Sequence, residues 1–516
     1  MKVVLISMPD VVPIVIHEMA VHMPNHGIAC IGGNVDARYE VTLIDLVRKR
    51  SDVTGYLTKT IKKINPDLIG LSAMTWQYPT CLAVIGFLKR LLPQAKIAVG
   101  GYHATLMSNE IALSAASDAI DFIIRGEGEE TFRRLVNALD GADSLDIIPS
   151  LSHKRDGQWV HNSQGPLCDL SRLKLPIRDK RRLTSGYHFM HYKIEVMETS
   201  RGCTRSCNFC SINHMYGRSY RTYPLERILA DLDDIYFNKK TRMVFITDDN
   251  MVLNPKWVIE VCDAIIKRNY RNLMLTVQAD CVSMARNEMM VKKMSQAGFR
   301  TVFLGIENAS RHNLRTMEKA DIVEEAKQAI DICHRHGIMV IGGLIFGLPD
   351  DDEEAVRRNY HFLKELDADA SYCQILTPYP KTKLREYLIS EGLVTNHDRY
   401  ERYNGLWANV KTRSLESDQL QYAFWYYRQT VLGWWTPSTF ARRQGRSWTS
   451  LWSYIVKPIM KFFINRRLRK MGWERRYQLY LRQLKKMNRF EGLTIVSGNG
   501  NPEQRDGREK GGNRPC

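Results

Sequence analysis

The chain of 516 residues is long enough for about three domains of roughly 150 residues each, and 44% of its residues are apolar. Its first residues, MKVVLISMPD, lack the long apolar region and cleavage site of a signal peptide, and no run of about 18 apolar residues occurs that would span a bilayer. Most of the eleven cysteines are scattered, so we expect a protein of the reducing cytoplasm. The net charge of +18 is concentrated near the C-terminus.

Residues 1–145 alternate between short β-branched apolar runs and longer helical patterns, which is typical of an α/β domain with a parallel sheet. The predicted strands are Lys2–Ser7, Glu40–Asp45, Leu68–Ser72, Lys96–Val99 and Asp121–Ile124. Such an open, doubly wound, Rossmann-like sheet binds its ligand at the carboxyl ends of its strands. The segment lacks a GxGxxG fingerprint, which argues against a nicotinamide or flavin dinucleotide.

Residues 146–188 are predicted to link this domain to the next one. The stretch SHKRDGQWVHN favours a hairpin with Asp156 and Gly157 at its turn. The stretch LKLPIRDKRRL favours an extended connection.

A second alternation of strands and helices fills residues 189–400 and predicts a partial (β/α)6 barrel of the TIM type. The chemistry of such barrels belongs at the carboxyl ends of the strands. The predicted strands are Lys193–Glu198, Met243–Thr247, Leu273–Gln278, Thr301–Gly305, Met339–Phe346 and Ala370–Leu376.

Three cysteines follow the first of these strands directly, in the stretch TSRGCTRSCNFCSI. Cys203, Cys207 and Cys210 are spaced Cys-x3-Cys-x2-Cys, and no second pair with metal-ligand spacing occurs in the sequence. Structural zinc sites and most iron–sulfur clusters use four protein ligands. Three thiolates therefore indicate either a distant fourth ligand or a metal with one open position.

The triad, with Phe209 before its last cysteine, resembles the signature of the radical S-adenosylmethionine enzymes. The resemblance implies a 4Fe-4S cluster held by the three cysteines, whose open iron binds the amino and carboxylate groups of S-adenosylmethionine. The later segments ITDDNM, LGIENAS, GGLIFGLP and LTPYPKTKL are also similar to that family. By resemblance, Asp249 and Glu307 face the methionine or ribose end of the ligand. Phe209 and the backbone from Gly343 to Gly347 face its adenine.

An open-sheet domain ahead of such a barrel resembles the cobalamin-dependent branch of this family, and GGYHAT and IRGEGEETF are similar to its fourth- and fifth-strand loops. The chain lacks the Asp-x-His-x-x-Gly motif by which many cobalamin domains offer a histidine to cobalt. The resemblance therefore implies a lower cobalt face without a protein histidine, lined by residues 72–78. The residues implied in cobalamin (B12) binding are Ser72, Trp76, Gly100, Gly101, His103, Gly126 and Glu127.

The layout of the chain is most similar to the anaerobic magnesium-protoporphyrin IX monomethyl ester cyclase group. The resemblance implies reductive cleavage of S-adenosylmethionine to a 5'-deoxyadenosyl radical, with electrons from a low-potential donor such as flavodoxin or ferredoxin. Methyl transfer to an unactivated carbon of a hydrophobic lipid or tetrapyrrole is the leading reaction, and oxidative cyclisation or rearrangement is the alternative. A cobalamin-binding sensor without turnover is the alternative of another class, although a sensor has no need of the triad. No individual catalytic side chain is assigned.

Residues 401–490 are predicted to form a helical, basic, aromatic-rich region. Between residues 437 and 490, 15 basic residues accompany one acidic residue, and seven of the ten tryptophans lie beyond residue 400. This composition favours peripheral contact with an anionic inner membrane face over nucleic acid, while a solvated helical cap is the competing interpretation. Residues 491–516, rich in Gly, Asn and charge, are predicted to be disordered.

Overall fold

The computed structural model describes residues 1–11, 21–189, 192–432, 471–494, 496–497 and 501–502. Short strands alternate with helices in the first part of the chain. The strands are β1 (Lys2–Ser7), β2 (Val21–His22), β3 (Glu40–Asp45), β4 (Leu68–Ser72), β5 (Lys96–Gly100), β6 (Phe122–Ile124), β7 (Leu151–Arg155) and β8 (Gln158–His161). The helices are α1 (His26–Asn34), α2 (Val53–Ile64), α3 (Tyr78–Leu91), α4 (Tyr102–Leu106), α5 (Ser108–Leu113) and α6 (Gly128–Leu139).

Seven of these strands form one sheet in the order β3-β1-β4-β5-β6-β7-β8. The five strands from β3 to β6 in this order are parallel, whereas β7 and β8 add an antiparallel hairpin at the edge. The hairpin turns at Asp156 and Gly157, whose φ angles are 50° and 79°. Two consecutive positive φ angles are what a tight two-residue hairpin turn requires. The first sheet therefore extends to His161, beyond residue 145.

Alternate residues of the central strand β1 face two separate cores. Val4 and Ile6 pack in the core that contains side chains of α2 and α3. Val3 and Leu5 pack in the core that contains side chains of α1 and α6. Because helices cover both faces, the sheet is doubly wound and Rossmann-like.

The second part of the chain contains a larger set of strands and helices. The strands are β9 (His188–Phe189), β10 (Tyr192–Met197), β11 (Ser200–Arg201), β12 (Arg221–Thr222), β13 (Met243–Ile246), β14 (Met274–Asp280), β15 (Phe299–Glu307), β16 (Met339–Phe346) and β17 (Ala370–Ile375). The helices are α7 (Ile212–Tyr216), α8 (Leu225–Asp233), α9 (Pro255–Arg268), α10 (Cys281–Arg286), α11 (Glu288–Ala297), α12 (Arg311–Thr316), α13 (Val323–Arg335), α14 (Glu353–Glu365) and α15 (Lys383–Ser390).

Eight strands form the second sheet, in the order β17-β16-β15-β14-β13-β10-β9-β2. The six strands from β17 to β10 are parallel and are connected through helices, which makes this sheet a partial TIM barrel. The strands β9 and β2 continue it in antiparallel fashion. The N-terminal segment of the chain thus contributes an edge strand to the barrel sheet.

The connection before β9 is held by buried ion pairs. Arg178 is only 1% exposed at its side chain and pairs with Asp231, while its guanidinium also donates to the carbonyl of Val196. Arg181 donates to both carboxylate oxygens of Glu195, at 2.7 and 2.9 Å. A buried guanidinium is stable only with such partners, so these contacts fix the connection against the first barrel strand.

The C-terminal region is helical and returns to the first domain. Its described elements are α16 (Ser417–Tyr427), α17 (Trp473–Lys486), β18 (Val496–Ser497) and β19 (Asn501–Pro502). Trp425 of α16 packs against Trp473 and Tyr477 of α17. After α17, Phe490 and Leu493 enter the core beside α2 and α3. Of the helices described, none is both long enough and apolar enough to cross a membrane.

The predicted fold class is confirmed. Each of the eleven predicted parallel strands occurs, with ends within two residues of the predicted ones. The predictions for residues 433–470 and for most of residues 491–516 concern residues outside those that the structure describes.

Candidate cofactor site

The cysteine loop, residues 198–211, leaves β10 at the carboxyl end of the barrel sheet. It begins with a short ribbon in which β11 pairs with β12. The N–H of Cys210 donates to the carbonyl of Cys207 at 3.2 Å. Asn208 is fixed from both ends, because its N–H donates to Met317 O at 3.1 Å and its side chain donates to Thr316 O at 2.8 Å.

The three thiols of the loop are free and only partly buried. Burial raises the pKa of Cys203 and of Cys207, and it raises the pKa of Cys210 to about 12. The charges of Cys207 and Cys203 also raise the pKa of Cys210, so the three groups are neighbours. Three adjacent soft ligands suit iron–sulfur chemistry, and binding of a metal displaces their protons.

Asp248, which follows β13, holds the start of the cysteine loop. Its carboxylate accepts hydrogen bonds from the N–H of Thr199 at 2.7 Å, the hydroxyl of Thr199 at 2.5 Å and the hydroxyl of Ser200 at 2.6 Å. Burial raises the pKa of Asp248 to about 6, although these hydrogen bonds oppose the shift. Asp248 could not be identified from the sequence, because only the pairing of β13 with β10 brings it to the loop.

Asp249, predicted to face the methionine or ribose end, lies beside the same loop. Its Oδ2 accepts the N–H of Gly202 at 2.9 Å, and burial raises its pKa to about 7. The next residue, Asn250, donates to Asp280 at 3.1 Å and approaches Cys203 Sγ to 4.0 Å. Its buried Oδ1 has no hydrogen-bond partner in the described part of the chain. An unsatisfied oxygen beside the cysteine loop fits a site that receives a polar ligand.

Glu307 lies at the carboxyl end of β15, where the pairing with β16 is irregular. Its φ of 65° is unusual for a residue with a side chain, and such strain is concentrated at functional sites. Its Oε1 accepts a hydrogen bond from Lys319 Nζ at 2.6 Å, and Lys319 also donates to Gly305 O at 3.0 Å. No sequence pattern identifies Lys319, whose positive charge opposes the rise that burial causes in the pKa of Cys207.

The residues predicted to face adenine have packing contacts of their own. A Cβ atom at Gly343 would lie 2.8 Å from the ring of Phe303, and one at Gly347 would lie 2.6 Å from Leu420. Phe209 packs against the barrel core. These contacts are a packing reason for glycine at positions 343 and 347. Contact of these residues and Phe209 with adenine stays a prediction.

The loops at the carboxyl ends of β4 and β5 approach each other closely. Ser72 and Gly100 are register partners at the two strand ends. Gly101 has a φ of 93°, and a Cβ atom there would lie 2.7 Å from the carbonyl oxygen of Ala73. Trp76 is half-buried in a short 3-10 turn just before α3. Only glycine fits this close approach of the two loops, which we call the glycine crossing. It lies at the carboxyl ends of the strands, where such sheets bind their ligands.

His103 is buried between aromatic rings from both domains. Its ring stacks on Tyr78 at 4.0 Å and meets the edge of Tyr400 at 4.9 Å. Burial lowers the pKa of His103 to about 3, so its imidazole is neutral. Its Nδ1 has no hydrogen-bond partner among the residues described.

Gly126 and Glu127, also predicted to bind cobalamin, follow β6. Gly126 has a φ of 70°, and its N–H donates to the hydroxyl of Thr105 at 2.9 Å. Glu127 faces the barrel and pairs with Arg201 at 2.9 Å and with Arg221 at 3.0 Å. In the described structure, Glu127 therefore contacts the second domain, and its predicted contact with cobalamin stays a prediction.

Tyr102 brings the first domain to the cysteine loop. It lies in α4, directly after the glycine crossing, and α4 packs against α7, which follows the three cysteines. Burial raises the pKa of Tyr102, and nearby Asp249 and Cys210 raise it further. The carboxyl ends of the two sheets therefore face each other across this loop.

Two family models match these two sheets. The model described as the radical SAM superfamily matches residues 197–363, which contain the three cysteines, and the model of the B12 binding domain matches residues 12–136. The chain belongs to the cobalamin-dependent radical SAM enzymes. Its cofactors are accordingly a 4Fe-4S cluster, S-adenosylmethionine and cobalamin. Because this family consists of enzymes, the alternative of a cobalamin-binding sensor without turnover is excluded. The neighbouring thiols and the glycine crossing described above fit these cofactors.

Relatives of this cobalamin-dependent radical SAM enzyme cover most of its length. An uncharacterized methyltransferase of Pyrococcus horikoshii is 29% identical over 417 residues, which are 79% of the chain and 89% of the relative. The anaerobic magnesium-protoporphyrin IX monomethyl ester cyclase of Rubrivivax gelatinosus is 23% identical over 418 residues, covering 78% and 72%. The structure of the methyltransferase TsrM from Kitasatospora setae, with cobalamin and a 4Fe-4S cluster bound, has a TM-score of 0.62 at 17% identity over 76% of the chain and 75% of TsrM.

Proposed function

We propose that the enzyme cleaves S-adenosylmethionine reductively and transfers a methyl group to an unactivated carbon of a hydrophobic substrate. The observation that carries the proposal is the position of the three free thiols, in a loop whose following helix α7 packs against α4 of the first domain. When bound, the cluster and cobalamin supply a low-potential electron and a carrier for the methyl group. The methyltransferase relative supports this reaction class.

The described side chains have complementary tasks in this proposal. Cys203, Cys207 and Cys210 hold the cluster, and Asp248 holds the loop that carries them. Glu307 and Lys319 present opposite charges at the strand end where the methionine end of S-adenosylmethionine is proposed to bind. That ligand end carries both an amino and a carboxylate group, so a pair of opposite charges suits it.

The proposal is tested with S-adenosylmethionine that carries a deuterated methyl group. The anaerobically reconstituted enzyme, a flavodoxin or ferredoxin donor and candidate lipids or tetrapyrroles are incubated together, and products are analysed by mass spectrometry. We expect 5'-deoxyadenosine and a product that carries the labelled methyl group. A modified substrate without the label contradicts methyl transfer.

Oxidative cyclisation or rearrangement of a tetrapyrrole is the second candidate reaction. It is supported by the similarity to the porphyrin ester cyclase, which extends over 78% of the chain. The same incubation separates the two candidates, because cyclisation yields 5'-deoxyadenosine and an oxidised product without the label.

We also propose peripheral membrane contact through residues 437–490, of which residues 471–490 are described. The exposed side of α17 carries Arg475, Arg482, Lys485 and Lys486. Trp473 and Leu479 on the same helix are each 39% exposed. Basic residues beside exposed Trp and Leu suit an anionic membrane interface, which would supply a hydrophobic substrate directly.

A further inference from the structure

A group of five charged residues, three with buried and two with half-buried side chains, joins the two domains next to the cysteine loop. Glu127 and Glu129 come from the first domain, at the start of α6. Glu198, Arg201 and Arg221 come from the barrel, at the start of the cysteine loop and its ribbon partner β12. We call these five residues the interdomain charge cluster.

Arg201 is the centre of the interdomain charge cluster. Its guanidinium reaches three carboxylates, with distances of 2.9 Å to Glu127, 2.6 Å to Glu129 and 3.0 Å to Glu198. The Arg201 side chain is 6% exposed, and those of Glu127 and Glu129 are 2% and 5% exposed. A planar fork with donors in fixed directions can meet three acceptors at once, which the single ammonium group of lysine does not reproduce.

A histidine of α1 also contacts the interdomain charge cluster. Three carboxylates face two guanidiniums, and His26 lies 3.6 Å from Glu198 and 3.1 Å from Cys30. Burial lowers the pKa of His26, but its contacts with Cys30 and Glu198 raise it by more, to about 10. Arg201 and Tyr223 already donate to the same Glu198 oxygen, so a metal ion between His26, Cys30 and Glu198 would have to displace them.

The interdomain charge cluster connects the two loops that are expected to hold cofactors. Glu127 directly follows Gly126 at the carboxyl end of β6, and Arg201 precedes Cys203 by two residues. Gly202, between Arg201 and Cys203, has a φ of 86° and donates its N–H to Asp249. Because buried charges lose their stabilisation when they separate, a relative shift of the two loops would break several ion pairs at once.

We propose that Arg201 is a positioning residue that fixes the cysteine loop against the first domain, and thereby sets the distance and orientation between the iron–sulfur cluster and cobalamin. This inference rests on the proposed function, because it takes both cofactors to bind at these loops. It adds that the chain controls their separation through Glu127, Glu129 and Arg201. Positive charge alone is not sufficient for this task, since the geometry of the guanidinium is what meets three acceptors.

The test is the Arg201→Lys variant, which keeps the charge and removes the fork. The matched control is Arg357→Lys, because Arg357 makes a similar two-point contact with Glu354 on the exposed side of α14. Each protein is reconstituted with iron, sulfide and hydroxocobalamin and then reduced. Iron and cobalamin contents are measured, and paramagnetic resonance reports the magnetic interaction between the reduced cluster and cob(II)alamin, which depends steeply on their separation.

We expect the wild-type protein and Arg357→Lys to show one well-defined interaction. Arg201→Lys should retain both cofactors but show a weakened or broadened interaction, which a purely structural side chain would leave unchanged. An interaction in Arg201→Lys equal to that of the wild type overturns the proposal. If Arg201→Lys does not retain the cofactors, Glu129→Gln, which removes one of the three carboxylates, is evaluated in the same way.

Loss of cofactors in both Arg201→Lys and Glu129→Gln, with normal cofactor content in Arg357→Lys, also overturns the proposal. The interdomain charge cluster would then serve folding only. A wild-type protein that retains neither cofactor contradicts the proposed function instead. In that case, hydrogen exchange of the cofactor-free proteins tests whether Arg201 fixes the cysteine loop against the first domain. Arg201→Lys should speed exchange in both residues 126–130 and residues 198–203, and unchanged exchange overturns it.

Discussion

The cysteine loop and the first-domain loops meet at one place but are built by different means. In the cysteine loop, charged groups fix the backbone, as Asp248 does through three hydrogen bonds to Thr199 and Ser200. In the first-domain loops, a glycine crossing at Gly101 and stacked rings around His103 shape the edge of the sheet. Metal ligands must be held at bond distances, whereas a large ring ligand needs an opening of the right shape.

The largest effect should follow from removal of a cysteine. Cys203→Ala, Cys207→Ala and Cys210→Ala should each abolish formation of 5'-deoxyadenosine, because a cluster with three protein ligands cannot spare one. The matched control is Cys262→Ala, a buried cysteine of the barrel core that should leave formation intact. Iron content and chromatography of the nucleoside measure the outcome. Persistence of both in a triple variant would contradict the assignment of the cluster.

Variants of the Glu307–Lys319 ion pair can distinguish a role of Glu307 in stability from a role in binding S-adenosylmethionine. The two side chains are 15% and 14% exposed, so Glu307→Gln leaves the ammonium of Lys319 without its carboxylate partner and should cost about 3 kcal/mol of unfolding free energy. The double variant Glu307→Gln/Lys319→Gln should recover most of this loss in urea unfolding. It should nevertheless bind S-adenosylmethionine weakly in calorimetric titration. Wild-type affinity in the double variant would remove Glu307 from the ligand site.

His103 gives a prediction for the dependence of stability on pH. Its pKa falls from 6.5 to about 3 in the folded protein because of burial, so only the unfolded chain takes up the proton as the pH falls below 6.5. The stabilisation present at neutral pH is therefore lost toward acid, by about 2 kcal/mol at pH 5. His103→Phe keeps an aromatic ring beside Tyr78. In this variant, the free energy of unfolding, measured with urea, should depend less on pH between pH 7 and pH 5. An unchanged slope would show that His103 is not buried as a neutral group.

The smallest effect concerns the basic side of α17. Arg482→Gln and Lys486→Gln should each weaken binding to anionic phosphatidylglycerol vesicles by at most about 1 kcal/mol. Binding should also fall as salt shortens the Debye length from about 30 Å at 0.01 M to about 10 Å at 0.1 M. Cosedimentation measures both effects, with Lys292→Gln on α11 as the control. Absence of binding at low salt would favour the solvated helical cap.

The strands and the cysteine triad could be predicted because their signals are local. A continuous apolar run marks β16, which is buried along its whole length, and a spacing of three cysteines within eight residues marks the cysteine loop. The partners Asp248 and Glu129 could not be predicted in this way. Asp248 is 49 residues from Thr199 and Glu129 is 72 residues from Arg201, so only the completed sheets bring these groups together.

The return of the C-terminus to the first domain has a consequence for biosynthesis. The side chain of Asn488 accepts the N–H of Val11 at 3.0 Å and donates to the carbonyl of Val11 at 3.1 Å, and Phe490 and Leu493 complete the core beside α2 and α3. Chains emerge from the ribosome N-terminus first, and domains generally fold in that order. The first domain is therefore made early but finished last, so a nascent or truncated chain carries an open apolar face on that domain until residue 493 has been released.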